Sequence, residues 1–560
     1  MKRRTVFQVL NLFLGFATLG TSLFAQNLNP VATISVKDID TLAENLPAVA
    51  KAANDMQGGM GAAIFQSYVS QESFTDAIDT QRPVGLFLVP QEKKEPMPIL
   101  VVPVKDVEKA LKLVPPGFEK KMVEENVWTL TNMPKEGDSR PSLVCNVYLK
   151  KDGWCFVTHQ ANDEVKNSDG AKFIEILGKE AVKNDFRIAL FVNAIPQADR
   201  ERAFNEAMNH ITKKLDCKKR CMGEKLYSFF SAELKKLAES AEKNAYESPI
   251  SCVALGYTWD NDVQKLVITN AFTGCTEKHQ IKNLSRIVKG GETSLATFGT
   301  TDSFISAQVN ASIAELNDPI VGQLLDMRRE RIREHIEKHR GKEVADEICG
   351  YFEKNASLFR NAFLNPETEK AGAVFVSENA LTLVGAHIVP DGYALEKEFQ
   401  TAIKYMEIKK AKEVEKHVLN AKRTEVGALH IYQAEFVPKK GCLKDFGNIF
   451  DGKVPGCIIF APNAVYTALG TDAVGVLQKC ITSDVKKSDA PSFSARVSLE
   501  KLVCVLKMKG EVKPEVYEKL AKLNDVDLTM RIESLEDGMQ FVTEIPAAFF
   551  QAMVIGRDNK

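Results

Sequence analysis

The 560-residue chain lacks the short motifs that announce catalysis. It has no phosphate loop of the G-x-x-x-x-G-K-[ST] type and no G-x-S-x-G nucleophile elbow. It has neither a C-x-x-C redox pair nor an H-E-x-x-H zinc helix. Charge of one sign is missing as well. Lys plus Arg total 73, Asp plus Glu total 74, and the formal net charge is −1. Nucleic-acid binding needs a basic face, so this balance predicts no nucleic-acid partner. Long polar or low-complexity tracts are absent, so most of the chain is expected to fold.

The N-terminus carries a definite signal. "MKRR" sets three cations before the apolar run "TVFQVLNLFLGFATLGTSLFAQ". A charged head, an apolar stretch and small residues make a secretory signal. Gln8, Asn11, Thr18 and Thr21 interrupt the run, which makes it a poor membrane span. Residues 1–25 are read as a signal peptide ending at Ala25, with an uncleaved anchor as the alternative. Cleavage removes three cations and changes the net charge from −1 to −4. The mature chain is expected in the periplasm or outside the cell, with no transmembrane span.

Eleven cysteines sit awkwardly with export, because an odd count leaves at least one unpaired. Cys155, Cys252, Cys457 and Cys504 lie inside apolar strand-like runs, where a thiol serves as a small hydrophobe. The tightest pair, Cys217 and Cys221 in "CKKRC", is a weak redox candidate. Its basic neighbours lower a thiol pKa, but no second pair follows at zinc-ligand spacing.

Two hairpins share one design. "CVALGYTWDNDVQKLVIT" (Cys252 to Thr269) and "DLTMRIESLEDGMQFVTEI" (Asp527 to Ile545) each place alternating strands around a polar turn. An offset of 275 residues sets Val253, Leu255 and Tyr257 on Leu528, Met530 and Ile532. Four further blocks recur in the same order. "ATISVKDIDTLAENL" matches "SAQVNASIAELND", "RPVGLFLVP" matches "KAGAVFVSE", "GWCFVTHQ" matches "PNAVYTALG", and "DFRIALFVNAIP" matches "PSFSARVSLEKL". These repeats predict an internal duplication. The expected fold class is α+β: two similar domains of mainly antiparallel sheet with packed helices, 26–290 and 291–560. The inner, buried face is expected to carry Val253, Leu255, Tyr257 and their counterparts.

Helices are expected where a strand runs into Asp or Asn. "VKDVEKALKLV" offers Asp106 as a cap and Val107, Ala110, Leu111 and Val114 at helical spacing. Two helical insertions are expected. One spans 197–247, rich in Ala, Lys, Glu and Leu. The other spans 318–363, opens on Asp318-Pro319 and breaks at Gly341.

On that second insertion, "HIEKH" puts His335 and His339 four residues apart on one helix face, the weak metal candidate of the chain. Glu337 stands in the wrong place for a zinc-protease base, and no third ligand is near in sequence. "RRERIR" beside it reads as a solvated face. "QGGMGAAIF" (Gln57 to Phe65) fails the dinucleotide pattern, because Ile64 stands where the last glycine belongs. His159 next to Thr158 is a strand-end polar group by default. No catalytic residue and no cofactor is assigned.

The signal, the repeated halves and blocks such as "VKDIDTLAENL" and "YTWDNDVQKLVIT" together resemble large exported proteins of unknown function from planctomycete-type bacteria. That resemblance implies a bacterial envelope protein and carries no site residues. The expected function is a non-enzymatic exported binding or structural protein, with a groove for a ligand. A carrier of apolar ligands and an exported hydrolase with dispersed residues are the alternatives. The expected partner is an envelope protein or an apolar ligand.

Overall fold

The structure is a computed structural model. It describes residues 29–558, without 53–55, 92–93, 116, 133–142, 223, 247, 249, 275–289, 300–301, 378–379, 401–421, 437–453, 483–487, 510–512 and 524–525, and with only scattered positions between 313 and 366. The signal segment 1–25 lies outside the described residues. The chain divides into two compact units, Met1–Ile281 and Lys282–Lys560. Both mix helices with antiparallel sheet.

The first unit has ten strands: β1 (Ala32–Val36), β2 (Val84–Gln91), β3 (Lys94–Pro103), β4 (Phe118–Glu124), β5 (Val127–Asn132), β6 (Leu143–Leu149), β7 (Trp154–Thr158), β8 (Phe186–Phe191), β9 (Ile250–Asp260) and β10 (Lys265–Gly274). Their ladder runs β10-β9-β8-β1-β2-β3-β7-β6-β5-β4, every neighbour antiparallel. In the second unit, β11 (Gly291–Thr293) and β19 (Ser488–Ala490) pair with each other. The other ten strands are β12 (Ser303–Ser312), β13 (Glu367–Ser377), β14 (Ala380–Ile388), β15 (Lys422–Val426), β16 (Leu429–Phe436), β17 (Val454–Ala461), β18 (Ala464–Gly470), β20 (Phe493–Ser498), β21 (Asp527–Leu535) and β22 (Gly538–Pro546). Their ladder runs β22-β21-β20-β12-β13-β14-β18-β17-β16-β15, again antiparallel throughout.

The two ladders visit their strands in the same chain order. Reading straight across the first unit from Leu255 gives Ile188, Ile34, Leu86, Leu100, Val157, Val147, Trp128 and Met122. Across the second unit from Met530 the row is Ala495, Ala307, Gly372, Gly385, Thr467, Ile458, Tyr432 and Arg423. Directly paired residues point to one face, so each row marks the same face of its own sheet. The row is bulky in the first unit and mostly small in its second-unit counterpart.

The row's own face is buried in part, at Trp128 and Val147 and at Tyr432, Val376 and Leu381, while the opposite face carries the larger core cluster of each unit. In the first unit the helix Ala171–Ala181 lies on it, seating Phe173 and Leu177 among Phe87, Ile99, Val101 and Phe156. The helix comes so close that a Cβ on Gly85 would stand 2.7 Å from Leu177 Cδ1. In the second unit the helix Ala473–Thr482 and the short turn Ala296–Gly299 share that face, with Leu477, Leu295 and Phe298 packed on Ile431, Cys457 and Ile459.

This corrects the expected polarity of the hairpins. Ala254 is fully buried and Gly256 is buried, whereas Val253, Leu255 and Tyr257 are only half-buried. A Cβ on Gly256 would lie 2.0 Å from Asn184 Oδ1, so that side takes small residues and the large alternates fall on the other side. Helix starts follow the sequence reading. Asp38 accepts from the Thr41 N–H and Asp106 from the Lys109 N–H. Val107, Ala110, Leu111 and Val114 pack on the cluster around Trp128 and Leu130. The region 197–247 holds two helices, Gln197–Met222 and Glu224–Lys243. Gly341 has φ 89°, the left-handed backbone that ends a helix turn.

Candidate functional site

Polar side chains from three elements of the second unit converge on one carboxylate. Asp391 accepts from the Ala394 N–H and starts a helix at 392–400. Gly392 is required there, because a Cβ would lie 2.0 Å from the Ala461 carbonyl oxygen. One turn on, Glu396 points at the β15–β16 hairpin, whose turn uses Gly427 at φ 60°. In that ladder Arg423 faces Tyr432 and Glu425 faces His430, so all four lie on one face of the ribbon.

The geometry around Glu396 is closed. Tyr432 Oη donates to Oε1 at 2.6 Å, and Arg423 Nε donates to the same oxygen at 3.0 Å. His430 Nδ1 lies 2.5 Å from Oε2. Gln400 Nε2 donates to Tyr432 Oη at 2.6 Å, and Arg423 Nη1 donates to Glu425 at 2.5 Å. The Tyr393 ring stacks on His430 at 4.7 Å. Val389, Leu395, Phe399 and Phe460 form the apolar floor.

Glu396 is only 4% exposed. Burial alone would push its pKa up, but hydrogen bonds from His430, Tyr432 and Arg423 outweigh burial and hold it below the ordinary carboxylate value. Burial, then the adjacent carboxylate, pushes the Tyr432 phenol up. An ionised Glu396 requires the hydrogen on His430 Nδ1, which turns Nε2 outward, 4.0 Å from Glu425. A carboxylate-held imidazole is built for proton transfer. Among the described residues, no serine, threonine or cysteine hydrogen-bonds to His430.

Sequence reasoning passed over this cluster. Its most widely separated hydrogen-bonded members, Glu396 and Tyr432, lie 36 residues apart in the chain, and the set follows no local pattern. The only available signal was the polar alternation in "LHIYQ" opposite "KRTEV".

The residues that sequence reasoning did single out lie elsewhere. His335 and His339 fall outside the described residues. Arg333 of the adjacent basic cluster pairs with Asp346. Cys217 is an exposed free thiol on the helix Gln197–Met222, and Cys221 belongs to the same helix. Burial pushes the Cys155 thiol up to about 12 and those of Cys252 and Cys457 to about 11, which suits inert core residues. The glycines of Gln57 to Phe65 lie within a helix, Met56–Val69. His159 is exposed, and Thr158 Oγ1 donates to the Gln160 carbonyl at 2.6 Å. Among the described residues, no group of three or more His, Cys, Asp or Glu side chains is placed to hold a metal ion, and no helix is long and apolar enough to cross a membrane.

A second feature is apolar. On the less-covered face of the second unit, Ala307, Gly372, Gly385 and Ala495 form a low floor, all half-buried. A Cβ at Gly372 would meet only the Val384 carbonyl oxygen, at 3.5 Å, so the space above is open. Ile305, Leu383 and Met530 share the face and flank that floor at 38%, 42% and 39% exposure. The helix Leu499–Lys509 covers one end, through Cys504, Val505 and Met508. Family models, curated proteins and solved structures were all compared with this chain, and none matches it.

Proposed function

We propose that this chain is an exported, non-enzymatic binding protein of the bacterial cell envelope, built by duplication of one ten-stranded α+β unit, and that it holds an apolar ligand. The shared strand order of the two units supports the duplication. The charged-then-apolar start of the sequence supports export, with residues 1–25 removed. One observation carries the binding reading: the open, small-residue floor of Ala307, Gly372, Gly385 and Ala495, flanked by half-exposed Ile305, Leu383 and Met530. Apolar surface left in this arrangement gains about 25 cal/mol for each Å² that a ligand covers.

The test is a solvent extract of protein purified from its native source, analysed by mass spectrometry, beside displacement of an apolar fluorescent probe. A stoichiometric lipid or other apolar molecule that competes with the probe is expected. An empty extract together with absent probe binding would overturn the reading and leave a structural role.

One observation favours a second reading, an exported hydrolase: the Glu396–His430 pair. Activity against an ester and peptide panel that vanishes in His430→Ala, with folding intact, would favour it. An inactive wild-type protein counts against it.

A further inference from the structure

We propose that the far end of the helical hairpin Gln197–Met222/Glu224–Lys243 docks on an anionic lipid bilayer. This goes beyond the ligand reading and does not depend on it.

The hairpin is anchored at one end only. Arg200 donates to the Asn193, Ile195 and Ala245 carbonyls at 2.9, 2.7 and 3.3 Å, and Asn193 and Ser248 exchange two hydrogen bonds. From there a helix of 26 residues reaches about 40 Å at about 1.5 Å per residue. Between Arg200 and Tyr246 no described residue is fully buried, so the pair of helices stands in solvent along its length. At the matching point of the second unit, after β20, the helix Leu499–Lys509 instead packs against its own sheet.

Positive charge gathers at the unanchored end. Lys213, Lys214, Lys218 and Lys219 are all exposed. The one acid among them, Asp216, accepts a hydrogen bond from Tyr227 at 2.6 Å, and Lys219 lies over the Tyr227 ring at 4.6 Å. Ile211 is 44% exposed, and Lys214 and Lys218 follow it at three and seven residues, on its own helix face. An exposed aliphatic side chain with lysines following on its own helix face fits a headgroup boundary, where the aliphatic group dips below the phosphates and the ammonium groups meet them. A polynucleotide would match the charge but has no use for Ile211, and the chain as a whole carries no basic excess.

The experiment is vesicle co-sedimentation of the full mature chain, with vesicles mixing phosphatidylglycerol and phosphatidylcholine against pure phosphatidylcholine. Binding to the anionic vesicles alone, falling as salt rises, is expected. Each lysine near an anionic surface changes partition about fivefold, so reversing all four to glutamate should weaken binding at least about tenfold. The quadruple lysine-to-glutamine variant guards against misfolding by charge reversal and should weaken binding as well. Ile211→Asp should weaken it with all lysines present. Equal binding to neutral vesicles, full binding by both quadruple variants, or retention on DNA with none on vesicles would each overturn the proposal.

Discussion

Leu111 and Glu396 occupy matching places on matching helices, five residues beyond Asp106 and Asp391, which cap them alike. Beneath them the ladders set Trp128 in the first unit and Tyr432 in its counterpart. The first site is apolar throughout, with Leu111 packed on the Trp128 and Leu130 cluster. The other is a closed polar knot. Each solution stands where it is complete. A buried carboxylate is stable only where donors meet it, and Glu396 has Tyr432, Arg423 and His430.

The largest effects should come from the helices on the faces that carry the larger core clusters. Leu177 and Leu477 are both fully buried. Leu177→Ala and Leu477→Ala should each cost about 2–5 kcal/mol. Hydrogen exchange under mild urea should find each loss confined to its own unit; a loss shared by both would end the treatment of the units as separable cores.

Exchanging the two solutions tests the comparison directly. Glu396→Leu alone strands the donors and should cost about 2 kcal/mol in urea unfolding. Adding Tyr432→Trp rebuilds the first unit's pair and should recover part of that loss. A double variant no more stable than the single one would show that the places are not equivalent.

Acid should separate the units in the same way. The Glu396 pKa is depressed in the folded state, so its contribution is complete above the unfolded value of about 4.3 and disappears as pH falls through the folded value. Stability measured at falling pH should converge for the wild type and Glu396→Gln. A constant gap between them would mean that the carboxylate's charge is irrelevant.

Smaller shifts are expected at the small-residue floor of the second unit. Ala307→Ile installs the residue that the first unit carries at the matching place, Ile34. Stability should change by no more than about 1 kcal/mol, while binding of the apolar probe should drop at least about tenfold. Unchanged probe binding would move the ligand elsewhere. Replacing His335 and His339 together by Gln should alter thermal stability least, within about 0.5 kcal/mol, without loss of bound zinc.

Much of the architecture was legible because alternation survives in the strands. Both hairpins read from alternation, Cys252 to Thr269 and Asp527 to Ile545, form antiparallel strand pairs. Caps such as Asp106 were legible because the capping bond spans three residues. The buried side of the hairpins was not. Bulky alternates normally mark the core, yet here Gly85 lies under a close helix, Gly256 sits against the Asn184 side chain, and Leu255 turns to the other face. The Glu396 knot was illegible for another reason: its partners come from a helix and two strands, and only the ladder brings them to one face.

The position of β1 bears on how the chain leaves the ribosome. It pairs with β2 and with β8, and Ile34 meets Ile188 only after about 150 further residues have been made. In the second unit Ala307 waits still longer for Ala495. At about 5–20 residues per second, each nascent sheet spends many seconds with a central strand open on one side.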